Sequence, residues 1–308
     1  MVIERCTLSI ASATQFLAGS TSKRIPYEIV HGLLLALRGW ISRPAVITTA
    51  ISQDLYRGFF FRGVDPHFHT LAEAFLEVSF EADLVQISLP QIYRHRPLYN
   101  TPLYHELGHF IDQHHGITDR SLTLYDEHWQ LPGLELDSLS NASLQAIQKN
   151  HRGEYFADLF AVSFAGTAFS GFLDAFAGDS PAGISHPATA ERLRVVEDFL
   201  EGKPNAVVEL FQTTLSALEL PNLQLQFEVP DVTEFFDNVR PYPLTSDRQV
   251  HGIFDSSWRY LENIWAHPNG HWEDLGNNDK IEQAINDLVE KSIRNRMISM
   301  KWRGHASS

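Results

Sequence analysis

Two histidines four residues apart, with a glutamate beside the first, make His105-Glu106-Leu107-Gly108-His109 the stretch of this chain best suited to metal chemistry. In a helix, positions i and i+4 lie on one side about one turn apart, so both imidazoles can reach a single ion. Glu106 then stands beside the open side of that ion, where it can take a proton from water. His-Glu-x-x-His is a zinc-hydrolase pattern, but it is short enough to arise by chance, so its surroundings must carry weight. Asn100 or Thr101 can cap a helix here, and Pro102 sits where a first-turn proline is tolerated. Gly116 is a stop signal, with His114 and His115 in the last turn. Leu103, Leu107, Phe110 and Ile111 fall in one apolar arc opposite His105 and His109. The pattern predicts a helix packed by its back, its histidines facing a cleft.

A second segment supplies carboxylates. Gly153-Glu154-Tyr155-Phe156-Ala157-Asp158-Leu159-Phe160-Ala161 reads as a helix with Glu154 and Asp158 at i and i+4. Ala157, Ala161 and Ala165 share their face, so a neighbouring helix can approach closely there. Phe156, Leu159, Phe160, Val162 and Phe164 make most of the remaining surface apolar, which predicts burial. Buried carboxylates need partners, and a metal with its histidines provides them. Glu154 is therefore the candidate third zinc ligand. Asp158 is the candidate to hold a ligand histidine through its other ring nitrogen.

These two motifs, followed by Ser185-His186-Pro187-Ala188-Thr189-Ala190-Glu191-Arg192-Leu193, resemble certain gluzincin metallopeptidases. The family is that of the CAAX-prenyl endopeptidases and the bacterial heat-shock membrane peptidases. The likeness covers roughly residues 80 to 200. It implies zinc held by His105, His109 and Glu154. It also implies that His186 helps stabilise the oxyanion of a tetrahedral intermediate and that Arg192 braces the site. Two departures separate this chain from the family. Members usually carry membrane-spanning helices, whereas the longest apolar run here, residues 30–40, is interrupted by His31 and Arg38. It falls well short of the roughly 20 residues a span requires. Residues from 116 to 150 also form a sizeable insertion, in which Asp126, Glu127, Trp129, Pro132 and Gly133 are candidates for a lid. The substrate of the membrane enzymes is therefore not carried over.

The rest of the chain must position these residues. Runs at 45–49, 59–61 and 83–89 read as strands, and 71–80 as helix or strand. The expected fold is α+β: a zincin-like domain with a small sheet, the two motif helices, and mainly helical flanks. Its expected divisions are 1–44 (helical), 45–202 (catalytic) and 203–308 (mainly helical, ending in an amphipathic helix at 279–300). Residues 83–89 are the candidate edge strand, to which a substrate peptide could add, or else an interior strand. His251, His267 and His271 read as unpaired loop histidines.

The 308 residues, 44% hydrophobic and 20% charged, suit an ordered globular protein. A net charge of −14 argues against a nucleic-acid partner. The single cysteine, Cys6, excludes internal disulfides and fits a reducing compartment. No secretory signal is evident in residues 1–6, so cytoplasmic residence is the expectation. Oligomeric state is open.

Two rival readings stand beside the gluzincin one. His115 lies where a metzincin places its third histidine, but Asp112 occupies the position that needs a glycine, and Met297 and Met300 lie too far along. Alternatively, the zinc site belongs to a sensor or scaffold that does not cut. Glu106 argues for chemistry, because a structural site has no use for a base beside an open position. The expectation is a soluble zinc endopeptidase acting on protein or peptide substrates.

Overall fold

Three short runs pair into one small sheet in the computed structural model, which describes residues 27–52, 58–62, 81–124 and 140–306, with single positions 7, 11 and 74. The strands are β1 (Ala45–Ser52), β2 (Phe60–Arg62) and β3 (Asp83–Pro90). β1 runs parallel to β3, from Ala45 opposite Asp83 to Ser52 opposite Pro90. β2 runs antiparallel on the other side, with Phe60 opposite Ser88 and Arg62 opposite Gln86. β3 is therefore central, and the expectation that residues 83–89 form the edge is overturned. The reason lies in its burial. Val85, Ile87 and Leu89 point to one face and Gln86 and Ser88 to the other, and all five are buried. The Gln86 carbonyl accepts from Arg62 and Ser88 donates to the Ala50 carbonyl. Among the described residues, the short strand β2 is an edge.

The α+β class holds, with helix predominating. Helix α1 (Tyr27–Ala36) precedes the sheet, and two 3₁₀ turns (Gln91–Tyr93 and Pro97–Asn100) lead from it. They are followed by α2 (Pro102–His115), α3 (Ile117–Leu124), α4 (Asn141–Ala165), α5 (Thr167–Ala177), α6 (Thr189–Leu200) and α7 (Ala206–Ala217). The remainder comprises α8 (Thr233–Asp237), α9 (Asp247–Ala266), α10 (His271–Leu275) and the long α11 (Asn278–Ala306). Part of the expected insertion is thus helical, since α3 and the start of α4 occupy it. The candidate lid residues Asp126, Glu127, Trp129, Pro132 and Gly133 lie outside the described residues, as do Cys6 and, apart from position 74, residues 71–80. Among the described residues, no helix is long and apolar enough to cross a membrane.

The pairing that matters for the site is α2 on α4. Leu103, Leu107 and Ile111 bury the back of α2, and residues 151–165 bury α4 on every side. Leu103, Leu107 and Ile111 join Phe156, Leu159, Phe160 and Val162 in one apolar cluster that reaches from Ile29 to Ile293. Burying each leucine contributes about 1.5–3 kcal/mol, so the orientation of α2 is strongly set. The two helices meet backbone to backbone at Gly108 and Ala157. A Cβ added to Gly108 would lie 2.8 Å from the Ala157 Cα, a contact that only glycine permits. The alanine face foreseen on α4 finds its neighbour in the glycine of the histidine motif.

Candidate metal centre

Helix α2 begins with Pro102 at its first position, but neither predicted cap acts through its side chain. Asn100 donates instead to the Tyr93 carbonyl, and Thr101 makes no capping bond. The helix ends as expected. Gly116 adopts a left-handed conformation (φ 64°), and its N–H donates to the Asp112 carbonyl at 2.7 Å. The Asp112 carboxylate accepts from the backbone and hydroxyl of Thr118, which ties the start of α3 to the end of α2. That bond accounts for an aspartate where a metzincin turn would need glycine. His115 bonds the Trp40 carbonyl at 2.7 Å and takes no part in the cluster below.

On the opposite face of α2, the His105 and His109 Nε2 atoms lie 3.1 Å apart. Glu154, from α4, places Oε2 3.4 Å from His105 Nε2 and Oε1 3.4 Å from His109 Nε2. For ligand bonds of about 2.05 Å, the edge of a tetrahedron around zinc measures about 3.3 Å. The separation of the two nitrogens and each nitrogen's distance to its nearer Glu154 oxygen lie close to it, although the two contacts fall on different oxygens of the carboxylate. Glu154 Oε2 is buried and makes no hydrogen bond, with nitrogens of His105, His186 and Arg192 at 3.4–3.5 Å. The His105, His109 and Glu154 atoms form the one group among the described residues with the makings of a metal site, and two imidazoles with a carboxylate are a donor set that zinc accepts.

A layer of charge lies behind the cluster. His105 Nδ1 sits 2.8 Å from Asp158 Oδ1, an ion-pair distance without hydrogen-bond alignment. Arg192, from α6, grips Asp158 with two bonds of 2.7 Å and reaches to 3.4 Å from Glu154 Oε2. Phe169 of α5 lies nearly parallel to the His105 ring. Burial alone would push the His105 imidazole down, but the Asp158 and Glu154 carboxylates outweigh it and hold the ring up at about 10. Burial would raise Glu154, yet His105 and His109 hold it well below the usual carboxylate range. Asp158 is likewise lowered, with Arg192 overcoming the cost of burial. The pocket is thus built around two buried carboxylates that require cations, and His105 must surrender its extra proton when a metal binds.

The other predicted residues converge from different elements. Glu106 accepts a hydrogen bond from the Phe61 N–H of β2 at 2.5 Å through Oε2, leaving Oε1 without a protein partner among the described residues. His186, on the loop before α6, brings Nε2 to 3.5 Å from Glu154 Oε2 while its side chain stays 57% exposed. His251 proves to be a buried residue of α9, bonded to the Tyr104 hydroxyl at 3.0 Å, and not a loop histidine. The apolar spacing of Val250, Ile253, Phe254 and Leu261 around it was the signal for that helix. One neighbour was not foreseen. His151, three residues before Glu154, is buried and bonds the Gly183 carbonyl at 2.7 Å. A histidine in a helix carries no marker of such a role.

Comparison with models of protein families, with characterised proteins and with solved structures finds no match, so the reading of this site rests on its own geometry.

Proposed function

We propose that this chain is a zinc-dependent peptidase of the gluzincin type that hydrolyses peptide bonds, with His105, His109 and Glu154 as the metal ligands. The observation that carries the reading is the cluster of two imidazole nitrogens and a carboxylate close enough together to share one metal ion, on a helix in which Glu106 directly follows the first histidine. Bound there, zinc would act as a Lewis acid that polarises a scissile carbonyl and makes water more acidic. Glu106 takes a proton from the attacking water on Oε1 and passes it to the leaving amine. The Phe61 N–H holds the other oxygen and fixes the direction of that carboxylate. Asp158, itself gripped by Arg192, lies 2.8 Å from His105 Nδ1 and would steady that ring with Nε2 left free for a metal. His186 would donate to the oxyanion.

Glu106→Gln tests the reading. Glutamine keeps the carbonyl that accepts from Phe61 but cannot take a proton at neutral pH. The variant should bind zinc as the wild type does and lose turnover by roughly a hundred- to ten-thousandfold on a peptide library. Undiminished cleavage would refute the mechanism. A zinc-loaded wild type that cleaves nothing would transfer the site to a metal-holding module that does not cut.

A further inference from the structure

The loop between α5 and α6, residues 178–188, is fastened to α4 at two successive residues. The His151 Nε2–H donates to the Gly183 carbonyl at 2.7 Å, and the Asn150 amide donates to the Ile184 carbonyl at 3.2 Å. Within the loop, the Gly183 N–H donates to the His186 carbonyl at 2.9 Å and the Thr189 N–H to the Ser180 carbonyl at 3.0 Å. Gly183 is thus the joint, held by His151 on one side and bound to His186 on the other. The His186 ring is largely exposed, bonded to its neighbour Ser185 and 3.5 Å from Glu154 Oε2, so the loop backbone does most to set its place. His151 is buried and stands just under one turn before Glu154 on the same rigid helix.

We infer that His151 is a positioning residue: by holding the Gly183 carbonyl, it keeps His186 at the Glu154 side of the His105–His109–Glu154 cluster, within reach of a substrate oxyanion. The inference deepens the peptidase reading and rests on it for the chemistry, while the clamp stands on geometry. His151 itself touches no reacting atom. Burial lowers its imidazole, so the ring is neutral with its proton on the nitrogen that faces Gly183. Glutamine can present an N–H at the same reach; alanine cannot.

The test uses the full-length, zinc-loaded chain as wild type, H151A, H151Q, H186A and the double variant H151A/H186A. Two quantities are measured: kcat and KM on a peptide found by library digestion, and amide hydrogen exchange across residues 180–188. In H151A, exchange of that segment should rise roughly three- to tenfold, as a lost hydrogen bond implies, with residues 154–165 unchanged. Its kcat should fall roughly ten- to a hundredfold while KM stays within about twofold, since a misplaced donor costs only the transition state. The double variant should be no slower than H186A, and H151Q should recover most of both losses. Unchanged exchange in H151A overturns the clamp. Raised exchange with unchanged kcat, or losses that multiply in the double variant, overturns the positioning role. Should H151A fail to fold, H151M fills the same space without a donor and takes its place. If the wild type cleaves nothing, the peptidase reading is what fails, and exchange of residues 180–188 still decides the clamp.

Discussion

Gly108→Ala adds a single methyl group at the point where the two helices that carry the proposed ligands touch. The new Cβ would lie 2.8 Å from the Ala157 Cα and 3.2 Å from both its Cβ and its carbonyl oxygen. Non-bonded carbons settle at about 3.5–4.0 Å, so relief requires α2 and α4 to part by roughly 0.7–1 Å. No rotamer change can supply that movement, because the obstructing atoms are backbone and an alanine methyl. His105 and His109 ride on α2 and Glu154 on α4, so parting the helices widens the gaps that now measure 3.4 Å. Metal sites tolerate errors of only about 0.2 Å in ligand distance. Overpacking should cost about 1–3 kcal/mol of stability, offset by at most about 1 kcal/mol from the better helix propensity of alanine. Zinc should bind roughly ten- to a hundredfold more weakly, the scale of a disturbed ligand support. Chemical denaturation of the chelated protein measures the first effect, and competition with a chromophoric chelator measures the second. Gly171→Ala in α5 is the control, since nothing lies within 4 Å of its added Cβ, and it should be neutral or stabilising. If G108A matches G171A in both stability and zinc affinity, the close packing of α2 on α4 does not set the metal geometry.

Asp158→Asn removes the charge that faces His105 and Arg192, and should weaken zinc binding roughly ten- to a hundredfold in the same competition assay. Unchanged affinity would mean that Asp158 has no hold on the ligand. The His251 imidazole, normally near 6.5, is lowered to about 3 by burial, so it stays neutral in the folded chain. Its contribution to stability is complete above pH 6.5 and drains as pH falls toward 3, at about 1.4 kcal/mol per pH unit. Between pH 6.5 and 5 the wild type should therefore lose about 2 kcal/mol that His251→Leu does not, as read by denaturant titration of the chelated proteins. Parallel pH dependence in the two proteins would contradict the neutral buried state.

Much of the site was readable because its chemistry is local in sequence. The spacing of His105 and His109, and of Glu154 and Asp158 on an otherwise apolar segment, determines which side chains share a helical face once the helix exists. The strands at 45–49, 59–61 and 83–89 were readable from their β-branched and aromatic content, and the structure places strands at each. Their order was not, because pairing joins residues far apart and nothing in residues 83–89 distinguishes a central strand from an edge. Asn100 and Thr101 misled for a similar reason, since Asn100 is drawn to the Tyr93 carbonyl by a turn outside the helix. The alanine face of α4 announced a close neighbour without naming Gly108. His151 and Gly183 left no trace, because their bond spans 32 positions and depends on how α4 lies against the loop before α6.

The central claim is that His105, His109 and Glu154 together hold zinc, and metal analysis of the purified wild type, E154A and H115A tests it most directly. Each candidate ligand is defined by position in the cluster, while His115 is engaged with the Trp40 carbonyl. Wild type and H115A should each retain about one zinc per chain after dialysis against weak chelator, and E154A should lose most of it. A wild type that holds no stoichiometric metal, or an E154A that keeps it while H115A loses it, would contradict the account.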